Sequence, residues 1–357
     1  MIDALAMALG LSVQDPYFWM PLVFMLLLFV VIVAGTVLDG FDIGVGCLTL
    51  FAPQASRRRM LSLLSPWRDA NEFWLFLGLG LFISVFPKAV GSIMGQIYLP
   101  LCLLGLGVLL RSAAFEIQFR SPKALQQRWL TGFGLGSLLT AFSHGLLLAQ
   151  IVVSYYSQSG YVWFTLFVGL CAVAAYCLLG AAWLIMREAG ELRARAVIWG
   201  RRSVRWCAAG VVAVSVVLMF SNPGVFLKWS DGAQSQVVVA LWVVLLVCFV
   251  SVEMCLQRMI NSSYRTTALP FALTLLIFLL VLGGLGYSLF PYLVLDELTL
   301  WDAAASVGSM RLALWGTCVA LPIAIIFNIR VYWRMFGLSI PPAPPEFDRF
   351  ATQTKEG

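Results

Sequence analysis

Long apolar runs separated by short charged segments pattern this chain from end to end. Nine stretches, at 18–46, 72–94, 97–119, 129–156, 161–186, 203–221, 236–257, 268–290 and 311–336, are predominantly apolar. Each reaches about 20 residues, the length a helix needs to cross roughly 30 Å of hydrocarbon. None alternates with the period of two that a half-buried strand would show. A strand edge facing lipid would also leave its backbone groups unpaired, so the nine stretches predict transmembrane helices. No gap between them is long enough to house a soluble domain. The reading is an all-α polytopic membrane protein with one integral membrane domain over 1–337. A short Pro-rich tail, 338–357, includes PPAPPEFDRF. The first twenty residues lack the basic flank of a secretory signal and read as a short outer segment leading into span one.

Composition supports this. The chain is 61% hydrophobic and 11% charged over 357 residues, and its mean hydropathy is +0.92. Soluble domains carry about 25% charged residues. The net charge of +6 could serve an anionic partner such as nucleic acid, but the placement of the cations points to topology instead. Arg57, Arg58, Arg59 and Arg68 fall in the first connection, and Arg120, Lys123 and Arg128 in the third. Arg187, Arg193, Arg195, Arg201, Arg202 and Arg205 follow around the fifth, Arg258 and Arg265 at the seventh, and Arg330, Arg334, Arg349 and Lys355 at the C-terminal end. Nineteen of the 23 basic residues therefore share one side. The positive-inside rule then sets the N-terminus outside and the C-terminus in the cytoplasm.

The chain is poor in groups for redox or metal chemistry. Its eight cysteines form no CxxC and read as small packing residues. His144 is the one histidine. It could ligate a single haem axially, but a packed histidine bonded to Ser143, Thr140 or another helix is the stronger reading. No Walker A, dinucleotide or GxSxG motif occurs, and GFGLGS at 132–137 lies inside an apolar span, where small residues allow close helix approach.

Acidic residues inside the spans stand out. LDGFDIGVGC at 38–47 places Asp39 and Asp42 three residues apart, on one helix face, near the inward end of span one. Gly35, Gly40, Gly44 and Gly46 thin that face for another helix to pack. Ionisable groups at membrane depth are costly and line polar paths or meet opposite charges; an interfacial hydrated or capping role is the alternative. SPWRDANEFW brings Asp69 and Asn71 to the same side just before span two, where Asp69 and Glu72 have the form of a capping box. In LLRSAAFEIQFR, Arg111 lies within span three and calls for a carboxylate or a backbone carbonyl, with Asp39, Asp42 and Asp69 as the candidate acids. Glu116 follows five residues later, about 140° round the helix, and has Arg120 as its better i, i+4 partner. Together Asp39, Asp42, Asp69, Arg111 and Glu116 predict a polar cluster at one depth, open to cytoplasmic protons.

These segments resemble a known family. TVLDGFDIGVGCL, RRRMLSLLSPWRDANEFWLFLGLGLFISVFPKAV and YLPLCLLGLGVLLRSAAFEIQFRS, with YCLLGAAWLIMREAGELRARA at 176–196, FPYLVLDELTLWDAAAS at 290–306 and VYWRMFG near the end, resemble subunit II of bacterial cytochrome bd-type quinol oxidases. GAAWLIM and LWDAAAS look most like the cyanide-insensitive branch, from which VLDEL departs. The resemblance implies two four-helix bundles plus one peripheral helix in the bacterial inner membrane. It implies a partner, subunit I, that carries haems b and d and the quinol site, while this chain binds no cofactor. A small single-helix accessory subunit, membrane lipids and quinol complete the partners it implies. The complex would oxidise quinol and reduce dioxygen to water with cytoplasmic protons. Asp42, Asp69, Arg111 and Glu116 match positions of the family's proton path, and Asp39 matches the motif without a defined role. Where relatives often read WDGN, this chain reads PWRDAN; the added Arg68 should favour the ionised form of Asp69. A proton-coupled transporter and a purely structural scaffold remain the alternatives. Transporters, however, place their polar site near the midplane on interrupted helices.

Overall fold

A computed structural model describes residues 6–7, 9–64, 69–155, 161–261 and 267–337, the side chains of residues 69, 70, 123, 261 and 334–337 excepted. Among the described residues the fold is all-α apart from one small hairpin. The helices are α1 (Pro16–Leu38), α2 (Gly40–Thr49), α3 (Gln54–Ser62), α4 (Asp69–Val85), α5 (Pro87–Arg120), α6 (Lys123–Val152), α7 (Val162–Arg187) and α8 (Gly190–Ser221). There follow α9 (Pro223–Ser230), α10 (Gly232–Asn261), α11 (Leu269–Leu289), a hairpin of β1 (Tyr292–Val294) and β2 (Leu298–Thr299), α12 (Leu300–Ala303) and α13 (Val307–Gly337). Among the described residues, 8 helices are long and apolar enough to cross a membrane, α1 and α2 counting as one; α4 contributes a shorter apolar helix over Asn71–Val85. The tail 338–357 lies outside the described residues.

Helix starts follow local chemistry. Asp15 caps α1 by accepting a bond from the Tyr17 amide at 2.9 Å, and Pro16, Pro87 and Pro223 open helices where a missing N–H costs nothing. Pro87 corrects one expected boundary. The second and third spans divide at Phe86–Pro87 rather than at 95–96, because the proline at the head of α5 cannot donate back into α4. A second correction concerns 187–202, expected as a connection: α8 starts at Gly190 and runs 32 residues. Its first turns, rich in Arg, Glu and Ala, are good helix formers, and at 1.5 Å per residue α8 spans about 48 Å, well beyond the hydrocarbon. Span one also continues past Asp39, where the backbone stays helical (φ −83°, ψ −21°), into α2, all ten residues of which are buried.

Packing sets α2 at the centre. α5 lies along α6 and α7 along α8; α2 wedges between α6 and α7; α1 packs on α4; α13 packs on α4 and α1; α10 packs on α8 and α11. Glycine makes two of these approaches possible. A Cβ on Gly44 would lie 1.9 Å from the Tyr176 carbonyl oxygen of α7, and one on Gly136 of α6 would lie 2.5 Å from the Arg111 nitrogen of α5. The latter glycine belongs to the 132–137 run, whose small residues indeed face neighbouring helices. The core is aromatic where α2 meets α7, with Phe41 stacked on Trp183 at 4.4 Å between ring centres.

Candidate functional site

Three helices bring one arginine and three carboxylates together inside the bundle, on the half nearer the basic connections. Asp39 sits at the junction of α1 and α2, Asp42 in the first turn of α2, Glu72 in the first turn of α4, and Arg111 in the second half of α5. All are buried: Asp39 is 5% exposed, Asp42 0%, Glu72 7% and Arg111 0%. Gly136 allows the α6 backbone to close over Arg111, so the guanidinium is directed away from α6 toward α1 and α4.

The fork of Arg111 is shared by two acids. Its Nη2 donates to Asp39 Oδ1 and, at 3.0 Å, to Glu72 Oε1; its Nε donates to the same Glu72 oxygen at 3.1 Å. Ser112 Oγ adds bonds to the Glu72 oxygens at 2.8 and 3.0 Å. Asp42 lies within electrostatic reach of Arg111 and accepts a hydrogen bond from Asn71 Nδ2 at 2.9 Å. A delocalised, weakly hydrated guanidinium with several donors is the cation that suits such a buried arrangement.

The predicted residues divide accordingly. Asp39, Asp42 and Arg111 come together, and Arg111 meets a carboxylate as its burial demanded. Asp69 opens α4, but its side chain, and with it the expected capping box, lies outside the described residues. Glu116 lies apart from them, on the exposed face of α5, 3.8 Å from Arg120, the i, i+4 partner expected for it, because five residues along a helix turn it away from Arg111. Glu72 joins the cluster instead. Its sequence signal was ambiguous: the spacing that suggests a cap also puts Glu72 on the first turn of α4, facing α5. Asn71 and Ser112 join through their neighbours. His144, on α6, bonds through Nδ1 to the Tyr176 hydroxyl of α7 at 2.9 Å. The hydroxyls of Thr140 and Ser143 instead bond to the carbonyls of Gly136 and Leu139 on their own helix.

Comparison with known proteins places this architecture. The structure resembles that of the bd oxidase from Geobacillus thermodenitrificans, with a TM-score of 0.71 at 15% identity, covering 89% of this chain and 98% of that one. The cytochrome bd-I ubiquinol oxidase subunit 2 of Escherichia coli K12 is 25% identical, covering 87% of this chain and 93% of its own length. The cytochrome bd ubiquinol oxidase subunit 2 of Bacillus subtilis is 25% identical, covering 83% and 90% respectively. The model of the cytochrome bd terminal oxidase subunit II family matches residues 20–335. Nearly the whole membrane domain thus follows one family pattern, and the chain belongs to the cytochrome bd terminal oxidase subunit II family.

Proposed function

We propose that this chain is the haem-free subunit of a quinol oxidase in the bacterial inner membrane, and that it supplies cytoplasmic protons to a haem-bearing subunit I, where dioxygen is reduced to water. The observation that carries this reading is the buried cluster of Asp39, Asp42, Glu72 and Arg111, set inside the bundle on the half nearer the basic connections. In a chain of nine spans, arranged as two four-helix bundles and a peripheral helix with the N-terminus outside, that half faces the cytoplasm. Asp69, at the head of α4, stands at the entrance. Asp42 passes the proton inward, and Arg111 holds Asp39 and Glu72 in place beside it. Glu116, exposed beside Arg120, is left out of the path.

We assign the haems of such a complex to its partner, as the family resemblance implies. His144, the one histidine, bonds through Nδ1 to Tyr176 at 2.9 Å, with the two rings packed at 5.6 Å, which supports a packing role for it. The share of this chain is then to move and hold protons and to support that partner. The test is purification of the tagged chain from its native membrane. Haem absorption and quinol-dependent oxygen uptake should accompany a larger co-purifying subunit. A colourless chain that purifies alone, with transport activity in vesicles, would refute the oxidase reading.

A further inference from the structure

A second set of buried polar contacts leaves the cluster toward the C-terminal helix. Tyr332 of α13 donates its hydroxyl to Asn71 Oδ1 at 3.3 Å, and Asn71 Nδ2 donates to Asp42 Oδ2 at 2.9 Å. Asn71 is 2% exposed. The Tyr332 ring is also fixed, edge-on to Phe41 with centres 6.2 Å apart, and Phe41 in turn stacks on Trp183. α13 thus grips α2 twice, by its ring next to Asp42 and by its hydroxyl through Asn71.

The chemistry of these three groups gives the contacts a direction. An ionised carboxylate only accepts hydrogen bonds, so the amide must turn its nitrogen to Asp42 and its oxygen to Tyr332, and the phenol must donate. An amide does not carry a proton onward in this arrangement, so Asn71 and Tyr332 orient the acid and do not form a branch of the path. When Asp42 is protonated it gains a donor, and the amide and phenol can reverse their roles without any helix moving.

We infer that Asn71 and Tyr332 are positioning residues for Asp42, so that α13 sets the orientation of the acid through which protons pass. This rests on the proton-path reading above. The path's rate then depends on a hydroxyl supplied by a helix nearly 300 residues further along the chain.

The test uses the whole oxidase, with this chain co-expressed with its partner, and four versions of it: wild type, Tyr332→Phe, Asn71→Leu and Asp42→Asn. Turnover is measured from pH 6 to 9, alongside the haem spectrum and the melting temperature. Tyr332→Phe keeps the ring on Phe41 and loses only the donor. The expected result is an unchanged spectrum and melting temperature, a several-fold loss of turnover and a pH profile displaced by about half a unit or more. Asn71→Leu should do the same more strongly. If Asn71→Leu fails to assemble, Tyr332→Phe decides alone. A wild-type pH profile in Tyr332→Phe, with Asp42→Asn slow, overturns the inference and leaves the path standing. Lost haem or lowered melting with an unmoved profile assigns the pair a structural role and also overturns it. Wild-type turnover in Asp42→Asn overturns the proton-path reading itself.

Discussion

Replacing Arg111 with methionine tests the electrostatic account of the cluster. Methionine approximates the length and volume of the arginine stem but carries no charge, and the site has little exposure to water with which to compensate: the Arg111 side chain is 0% exposed, and those of Asp39 and Glu72 are 7% and 9%. The change removes three described hydrogen bonds and leaves two carboxylates buried without their cation. Breaking a buried ion pair from one side costs about 3–5 kcal/mol. A loss of that size should lower the melting temperature of the purified complex by about 6–20 °C, taking roughly 2–4 °C per kcal/mol. The assay is thermal unfolding of the detergent-solubilised oxidase, followed by tryptophan fluorescence and haem absorbance. Neutralising the partners as well, in Arg111→Met with Asp39→Asn and Glu72→Gln, should recover most of the loss, since an intact buried ion set is worth little more than a neutral one of similar shape. If Arg111→Met melts with the wild type, or if the triple variant is no more stable than the single one, the cluster is not a desolvated ion set and the reasoning fails.

Other expectations follow from the same geometry. Glu116→Gln should leave turnover within about twofold of wild type, because loss of an exposed i, i+4 pair is worth only a few tenths of a kcal/mol; a tenfold loss would restore Glu116 to the path. Gly44→Ala should prevent assembly, since its Cβ would sit 1.9 Å from the Tyr176 carbonyl oxygen, whereas Gly80→Ala, with nothing within 4 Å of its Cβ, should assemble normally; co-purification with the partner distinguishes them. On the opposite end of the fold, Lys228 donates to the carbonyls of Tyr287 at 2.6 Å and Phe290 at 2.8 Å, and burial holds its ammonium below the usual value of 10.5. Between its folded value and 10.5 the unfolded chain binds more protons, so this residue's contribution to stability rises with pH. Melting curves from pH 8 to 10.5 should show that slope reduced in Lys228→Met; an unaltered slope would contradict the assignment.

Much of this could be seen in the sequence, and the exceptions have physical causes. Hydropathy located the spans because about 20 apolar residues are needed to cross hydrocarbon, and that requirement is written continuously along the chain. It divided the second span from the third in the wrong place, because both sides of Phe86 are apolar and only Pro87 marks the break. The basic stretch at 187–202 read as a connection because charge was taken for exposure. A helix with one charged face and one buried face carries the same composition. At the site, the place of Arg111 within a span called for a carboxylate or a backbone carbonyl and put Asp39 among three candidate acids. Helical phase alone turned Glu116 away, but choosing Glu72 required the angle at which α4 meets α5, which no local spacing encodes. Tyr332 shows the same limit more sharply. Its place beside Asp42 depends on α13 packing against α4, a contact between the two ends of the chain.

The central claim is that Asp42 lies on the route by which protons leave the cytoplasm for the oxygen-reducing partner. Its most direct test is the rate of proton uptake by the fully reduced oxidase after mixing with dioxygen, followed with a pH indicator, for wild type and Asp42→Asn. The account predicts uptake at least about tenfold slower in the variant, equivalent to about 1.4 kcal/mol or more on the barrier, with the haem spectrum unchanged. Uptake at the wild-type rate, with haems intact, would contradict it.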